Sequence, residues 1–186
     1  MKLIAGVDEV GCGALVGNVI SAAVILNPSV IIHGLADSKK LSNKSRLILY
    51  DEIKNKVRAW SIGRATAQEI DVLNILRASL LSMKRAVKNL TLQPDFLFID
   101  GKYSINVAIP YISVIHGDIL IPEISAASIL AKVTRDKEML ELDNLFPQYV
   151  FAIHKGYPTK QHILMLIKHG PTSEHRFTFS PIKKLK

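Results

Sequence analysis

Apolar and polar positions come in blocks along this chain that suit strands and helices in turn. An apolar run at positions 3–7 stops at Asp8-Glu9 and reads as a buried strand. Gly11, Gly13 and Gly17 follow, where the chain turns or approaches a ligand closely. Positions 16–26, rich in valine, isoleucine and alanine, read as a second strand, the hairpin partner of the first, and Asn27-Pro28 ends it. Asp37-Ser38-Lys39-Lys40 is a polar loop. Ser42 is the N-cap of a helix running to Lys56, with Leu47, Ile48, Ile53 and Val57 on its apolar side.

Positions 59–65 form a third strand, and 68–89 a helix with a break at Leu73-Asn74. Pro94-Asp95 resets the chain. Positions 96–99 are then a strand ending at Asp100-Gly101, and 111–115 a strand ending at His116-Gly117-Asp118. Pro122 and Glu123 open a long helix reaching about Leu142, with a proline and an acid in its first turn as helix starts prefer. Thr159 caps a helix ending near His169, and positions 174–186 have little periodicity. There is no internal repeat, low-complexity tract or linker. This order predicts an α/β or α+β fold with one main sheet, as a single domain over residues 1–186 whose C-terminal helical portion covers roughly 145–186.

Composition narrows the classes. Hydrophobic residues make up 48% of the 186, enough for a sizeable core and against disorder. Lysine and arginine total 24 against 16 acids, a formal charge of +8 that suits a polyanionic partner. Isoleucine, lysine and asparagine are abundant, as an AT-rich genome would give, so the charge is weak evidence. Cys12 is the one cysteine, which excludes an intrachain disulfide, and no Cys/His cluster has zinc-ligand spacing. The first residues meet acid too soon for a signal peptide, and no apolar run has membrane-spanning length. The expectation is a cytoplasmic monomer with no membrane partner.

Three predicted strands run into acids: Val7 into Asp8-Glu9, Ile99 into Asp100, and Ile115 through His116-Gly117 into Asp118. Acids at the ends of neighbouring strands can converge at one sheet edge, where they repel unless a cation sits between them. Mg²⁺ or Mn²⁺, hard ions with oxygen ligands, would answer that need. Neighbouring residues of an extended strand point to opposite faces. Asp8 and Glu9 would therefore share a site only if the backbone bends, as Gly11 and Gly13 allow.

Six segments taken together resemble the bacterial ribonuclease HII family. They are Asp8-Glu9-Val10-Gly11-Cys12-Gly13, Asp37-Ser38-Lys39-Lys40-Leu41-Ser42, Asp100-Gly101, the run from Ile124 to Asp136, His154-Lys155-Gly156-Tyr157-Pro158-Thr159, and His175-Arg176-Phe177. They lie in family order over nearly the whole chain. The resemblance implies an α/β, RNase H-like fold: a mixed central sheet flanked by helices, with a small helical C-terminal part. It also implies hydrolysis of RNA in RNA–DNA hybrids, and cutting 5′ of single ribonucleotides embedded in duplex DNA. The ends would be 5′-phosphate and 3′-hydroxyl, and the cofactors two Mn²⁺ or Mg²⁺ ions.

Carried over by position, Asp8, Glu9, Asp100 and Asp118 are the implied metal ligands and catalytic acids. Tyr157 is the residue that packs on the sugar at the RNA–DNA junction. Gly11, Cys12 and Gly13 form the turn whose backbone approaches the 2′-hydroxyl and phosphate, and Lys39 and Lys40 are phosphate contacts. Ser125 and Ser128 are either packing residues or substrate contacts. Lys132 and Arg135 share a helix face and either bind phosphate or pair with Asp136 or Glu138. His154 is a candidate phosphate contact, while His33, His162 and His169 read as surface residues.

The chain departs from the family pattern at four positions. Cys12 stands where arginine is usual, Ala14 replaces proline, His116 replaces lysine and Thr178 replaces serine. The first removes a charged contact and the second loosens the turn, so weaker affinity or selectivity is expected. An alternative that Cys12 motivates is a hybrid-binding protein with impaired catalysis.

Overall fold

A computed structural model describes residues 2–35 and 41–185. The Lys39 and Lys40 phosphate contacts lie outside these described residues. Five strands form one mixed sheet: β1 (Ile4–Val10), β2 (Val19–Ile25), β3 (Ala59–Ala65), β4 (Phe96–Asp100) and β5 (Tyr111–Val114), in the order β3-β2-β1-β4-β5. β1 and β2 are antiparallel, as are β2 and β3, whereas β4 runs parallel to β1 and β5 parallel to β4. Central β2 is buried along its whole length, which explains its near-continuous apolar sequence.

Helices cover both faces. α1 (Asn43–Lys56) and α5 (Pro122–Leu145) pack on one, where Ala22, Val24, Ile53, Ile129 and Leu130 form a core; on the other, α3 (Ile75–Lys88) brings Met83, Ala86 and Val87 towards Val7, Leu97 and Ile99, while α2 (Ala67–Leu73) adds Ile70 to a smaller cluster with Val19 and Ala65. Each fully buried aliphatic side chain contributes about 1.5–3 kcal/mol. The backbone of α5 runs so close to β1 that a Cβ on Gly6 would lie 2.1 Å from the Glu123 carbonyl carbon. Only glycine admits that approach, and it lays α5 across the end of β1 where the acids are. Among the described residues no helix is long and apolar enough to cross a membrane.

The caps fall where expected. Ser42 accepts from the Ser45 N–H and Thr159 from the His162 N–H, and Asn74, at φ 69°, breaks α2 from α3. α1 is rotated from the expected face. Its buried positions are Arg46, Leu49, Tyr50 and Ile53, while Leu47 and Ile48 are exposed. The spacing 46, 49, 50, 53 is itself one helical stripe, and it works because Arg46 spends its charge locally, donating to Asn43 Oδ1 and the Leu41 carbonyl at 2.8 Å each.

After α5 come α6 (Phe151–His154) and α7 (Lys160–His169). They close a second apolar cluster of Tyr149, Phe151, Leu166 and Ile182 against Leu15, Val16 and Met139. Val16 bridges to His175, so the tail is stitched to the loop between β1 and β2.

Candidate active site

The expected bend at Asp8-Glu9 does not occur. β1 continues through both acids, pairing Asp8 with Ala22, Glu9 with Ser21 and Val10 with Ile20. The strand persists because Val10 has its own place in the core beside α5. Strand alternation then sends Asp8 to the α5 side and Glu9 to the α3 side. The two still meet because both stand at the open end of the sheet.

Val7 pairs with Ile99 as the last pair of the β1–β4 ladder, so the next residues along, Asp8 within β1 and Asp100 at the end of β4, stand where the two parallel strands part. Carboxyl ends of parallel strands are where open α/β sheets bind ligands. Asp100 Oδ1 accepts from the backbone N–H groups of Gly117 and Asp118, at 2.8 and 3.4 Å. These open the short helix α4 (Gly117–Leu120), so Asp100 itself fixes where Asp118 stands. Ser125 Oγ donates to the Asp118 carbonyl at 2.5 Å. A cavity of about 320 Å³ is lined by Asp8, Glu9, Asp100 and Asp118 together with Val10, Ser128, Lys132 and Tyr157.

Asp8 is buried, and its carboxyl is held well above the usual range, first by burial and then by the charges of Glu9 and Asp100. A hydrogen bond with Ser128 and the Glu9 N–H, which donates to Asp8 Oδ1 at 2.7 Å, oppose that rise. Ser128 therefore acts on the acid site, and Ser125 on the α4 backbone.

The donor set is all oxygen, which suits Mg²⁺ or Mn²⁺. Among the described residues no three Asp, Glu, His or Cys side chains are already closed into a metal-holding cluster. The acids instead line an open wall, which fits Mg²⁺ because that ion is usually held by one or two carboxylates with waters and substrate phosphates.

Gly11 begins the neighbouring turn at φ 93°, and a Cβ there would meet Arg135 Nε at 2.6 Å. Cys12 turns its side chain inward. It packs on Val19, Ala65, Ile70 and Ala78, and Sγ donates to Glu9 Oε1 at 3.9 Å. Burial, then Glu9, pushes its thiol up to about 12. Gly13 lies against the Tyr157 ring, where a Cβ would be in van der Waals contact at 3.7 Å from Cε1. Ala14 does not loosen the turn: its N–H, which proline lacks, donates to the Gly11 carbonyl at 3.3 Å. Thr178 keeps a hydroxyl donor, to Asp71 Oδ1 at 2.6 Å.

Other residues take roles that the sequence left open, left unassigned or misplaced. Lys132 pairs with Asp136 at 2.7 Å beside the cavity. Arg135 does not bind phosphate from the helix surface; it is buried and donates to the carbonyls of Asn18, Val16 and Lys155. Arg176 is buried and donates to the carbonyls of Cys12, Ala14 and Gly17, clamping the turn from behind. His162 is fully buried rather than on the surface, and His154, buried with its Nε2 2.7 Å from the Tyr149 carbonyl, is turned away from any phosphate. His33 and His169 are exposed as expected. In sequence, a buried arginine among basic motifs looks like a phosphate contact; its carbonyl partners come from distant loops.

The ribonuclease HII family profile matches residues 5–182. Among solved structures, ribonuclease H2 from Pyrococcus horikoshii superposes with a TM-score of 0.84 at 23% identity, over 100% of this chain and 97% of that one. Ribonuclease HII from Archaeoglobus fulgidus, solved in complex with PCNA, gives 0.76 at 23% identity over 95% of each chain. Bst-RNase HIII in complex with Mn²⁺ gives 0.70 at 16% identity, over 98% of this chain and 68% of that one. These likenesses establish a shared fold.

Proposed function

The chain belongs to the ribonuclease HII family and is a metal-dependent endoribonuclease of the ribonuclease H type; from this and the cavity chemistry we propose that it cuts the RNA strand of RNA–DNA hybrids and the 5′ side of single ribonucleotides in duplex DNA, leaving 5′-phosphate and 3′-hydroxyl ends. The observation that carries the reading is the placement of Asp8 and Asp100 just past the last pair of the parallel β1–β4 ladder, in one cavity with Glu9 and Asp118.

Those four carboxylates would hold Mg²⁺ or Mn²⁺. When bound, a pair of such ions supplies positive charge to the attacking and leaving oxygens of a phosphodiester. The chain's own residues do the rest. Asp100 sets the place of Asp118 through the α4 backbone, and Ser128 holds Asp8. Tyr157, 36% exposed on the cavity wall, offers a ring face to a sugar, and the turn from Gly11 to Gly13 offers backbone to the 2′-hydroxyl that separates RNA from DNA. Lys39, Lys40 and the net charge of +8 favour the polyanionic duplex. The protein acts as a monomer.

The test is cleavage of duplex DNA carrying one ribonucleotide, in Mg²⁺ and in Mn²⁺, by the wild-type protein and Asp8→Asn. Cutting 5′ of the ribonucleotide by the wild type and loss in the variant are expected. Binding without cutting, under single turnover with either metal, would favour a hybrid-binding protein instead.

A further inference from the structure

Behind Tyr157 lie three buried histidines that the proposed chemistry leaves unused. His154 and His162 stack at 4.5 Å between ring centroids, and His162 Nε2 is 3.2 Å from His175 Nε2. Their partners determine where each proton sits. The Tyr157 carbonyl, 3.0 Å from His162 Nδ1, can only accept, so Nδ1 carries the hydrogen and Nε2 is bare. His175 Nε2 must then donate to it, which leaves His175 Nδ1 to accept from the Thr172 N–H at 2.9 Å. Every link is satisfied in one direction only: Thr172 to His175 to His162 to Tyr157. His154 closes the other side. Its Nδ1 accepts from the Gly156 N–H at 3.2 Å and its Nε2 donates to the Tyr149 carbonyl at 2.7 Å.

We infer that His162, held by His175, is a positioning residue that sets the Tyr157 backbone, and through it the ring, for discrimination at the RNA–DNA junction. The inference rests on Tyr157 being the residue that packs on the junction sugar. Burial supports the geometry, since it holds His162 and His175 neutral, pushed down to about 4 and about 3. A proton on His162 Nε2 would leave the two facing nitrogens both donors. The rest of the Tyr157 segment is held by backbone: its N–H donates to the His154 carbonyl, its carbonyl also accepts from the Thr159 N–H at 2.8 Å, and the Gly156 carbonyl accepts from Leu15 at 2.8 Å. His162 Nδ1 shares the Tyr157 carbonyl with the Thr159 N–H, so the ring is the one side-chain donor to that carbonyl among the described residues.

The measurement is the ratio of kcat/KM on a single-ribonucleotide duplex to that on a uniform RNA–DNA hybrid, in which any loss of folded protein cancels. Tyr157→Ala and His162→Phe are expected to shift it in the same direction, His162→Phe on the order of ten-fold. The double variant should shift it no further than Tyr157→Ala alone. His162→Asn, which keeps a nitrogen donor where Nδ1 stands, should restore it. A shift in Tyr157→Ala with none in His162→Phe overturns the positioning role and leaves the reading of Tyr157 standing. No shift in Tyr157→Ala overturns that reading, and this inference with it. In the unmodified protein, ¹⁵N spectra of the imidazoles should show His162 protonated on Nδ1 and His175 on Nε2. The reverse assignment for His162 overturns the inference whatever the variants do.

Discussion

Asp8 and Asp100 are brought together by strand register, not by a turn. Val7 opposite Ile99 in a parallel ladder leaves the two carboxylates next along where that ladder ends, over ninety residues apart in sequence. β2 and β3 cannot supply such a pair, because antiparallel neighbours end at opposite edges.

Crowding of charge at that edge has a cost that metal would offset. Asp8 is buried beside Glu9 and Asp100, so its carboxylate destabilises the metal-free fold. Asp8→Asn keeps an oxygen for the Glu9 N–H and removes the charge. In EDTA it should raise stability by about 1 kcal/mol, or roughly 2–4 °C in Tm for a chain of this size. The same variant should lose on the order of 10³-fold in activity, since several kcal/mol of charge stabilisation depend on the site. Mn²⁺ should raise the Tm of the wild type more than that of the variant. A variant less stable than the wild type in EDTA would count against the crowding.

Cys12→Arg tests the turn. The cysteine side chain packs on an apolar cluster, so an arginine there would have to leave it and turn its charge outward. A charge-assisted phosphate contact contributes about 1.5–3 kcal/mol when well formed. Substrate affinity should therefore rise on the order of ten-fold or more, with the steeper salt dependence of an added phosphate contact. Unchanged affinity and unchanged preference for single-ribonucleotide duplexes would sink the idea. The wild-type thiol, pushed up to about 12, should label slowly with disulfide reagents at neutral pH.

The strands, the caps and the acids at strand ends were legible because each depends on a few adjacent residues. Ser42, Thr159 and the Asn74 break are of that kind. The face of α1 was not, because burying Arg46 depends on carbonyl and amide partners that periodicity does not reveal. The continuation of β1 past Glu9 was not, because two acids in a row look like a strand end until Ile20 is placed opposite Val10. Arg135, His154 and His162 were misjudged for one reason. A polar side chain reads as exposed in sequence, and only tertiary structure supplies the carbonyls and neighbouring rings that make its burial affordable.

Arg176→Lys should be damaging despite keeping the charge. The guanidinium reaches the carbonyls of Cys12, Ala14 and Gly17 at 2.7–3.1 Å, a fork that an ammonium cannot reproduce. Leaving buried carbonyls unpaired costs about 1–3 kcal/mol each. A loss of about 3 kcal/mol in urea denaturation is expected, with reduced activity from the unclamped turn. Wild-type stability in this variant would show that the clamp is dispensable.

Acid should weaken the fold earlier than its carboxylates alone would dictate. His162 and His175 have folded values of about 4 and about 3 against 6.5 in an unfolded chain. A base depressed in the native state contributes stability that is complete above 6.5 and is lost as pH falls, because the unfolded chain takes up protons the folded one refuses. Each histidine removes up to about 1.4 kcal/mol per pH unit through that window. Glu69, lowered to about 2 chiefly by its hydrogen bond to Arg85, also loses its contribution in acid, but only below its unfolded value of 4.5. The two effects therefore separate between pH 6.5 and 5. Unfolding free energies from urea titration should fall steeply across that interval, and His175→Gln should roughly halve the slope. A flat profile there would mean that these rings accept protons without unfolding.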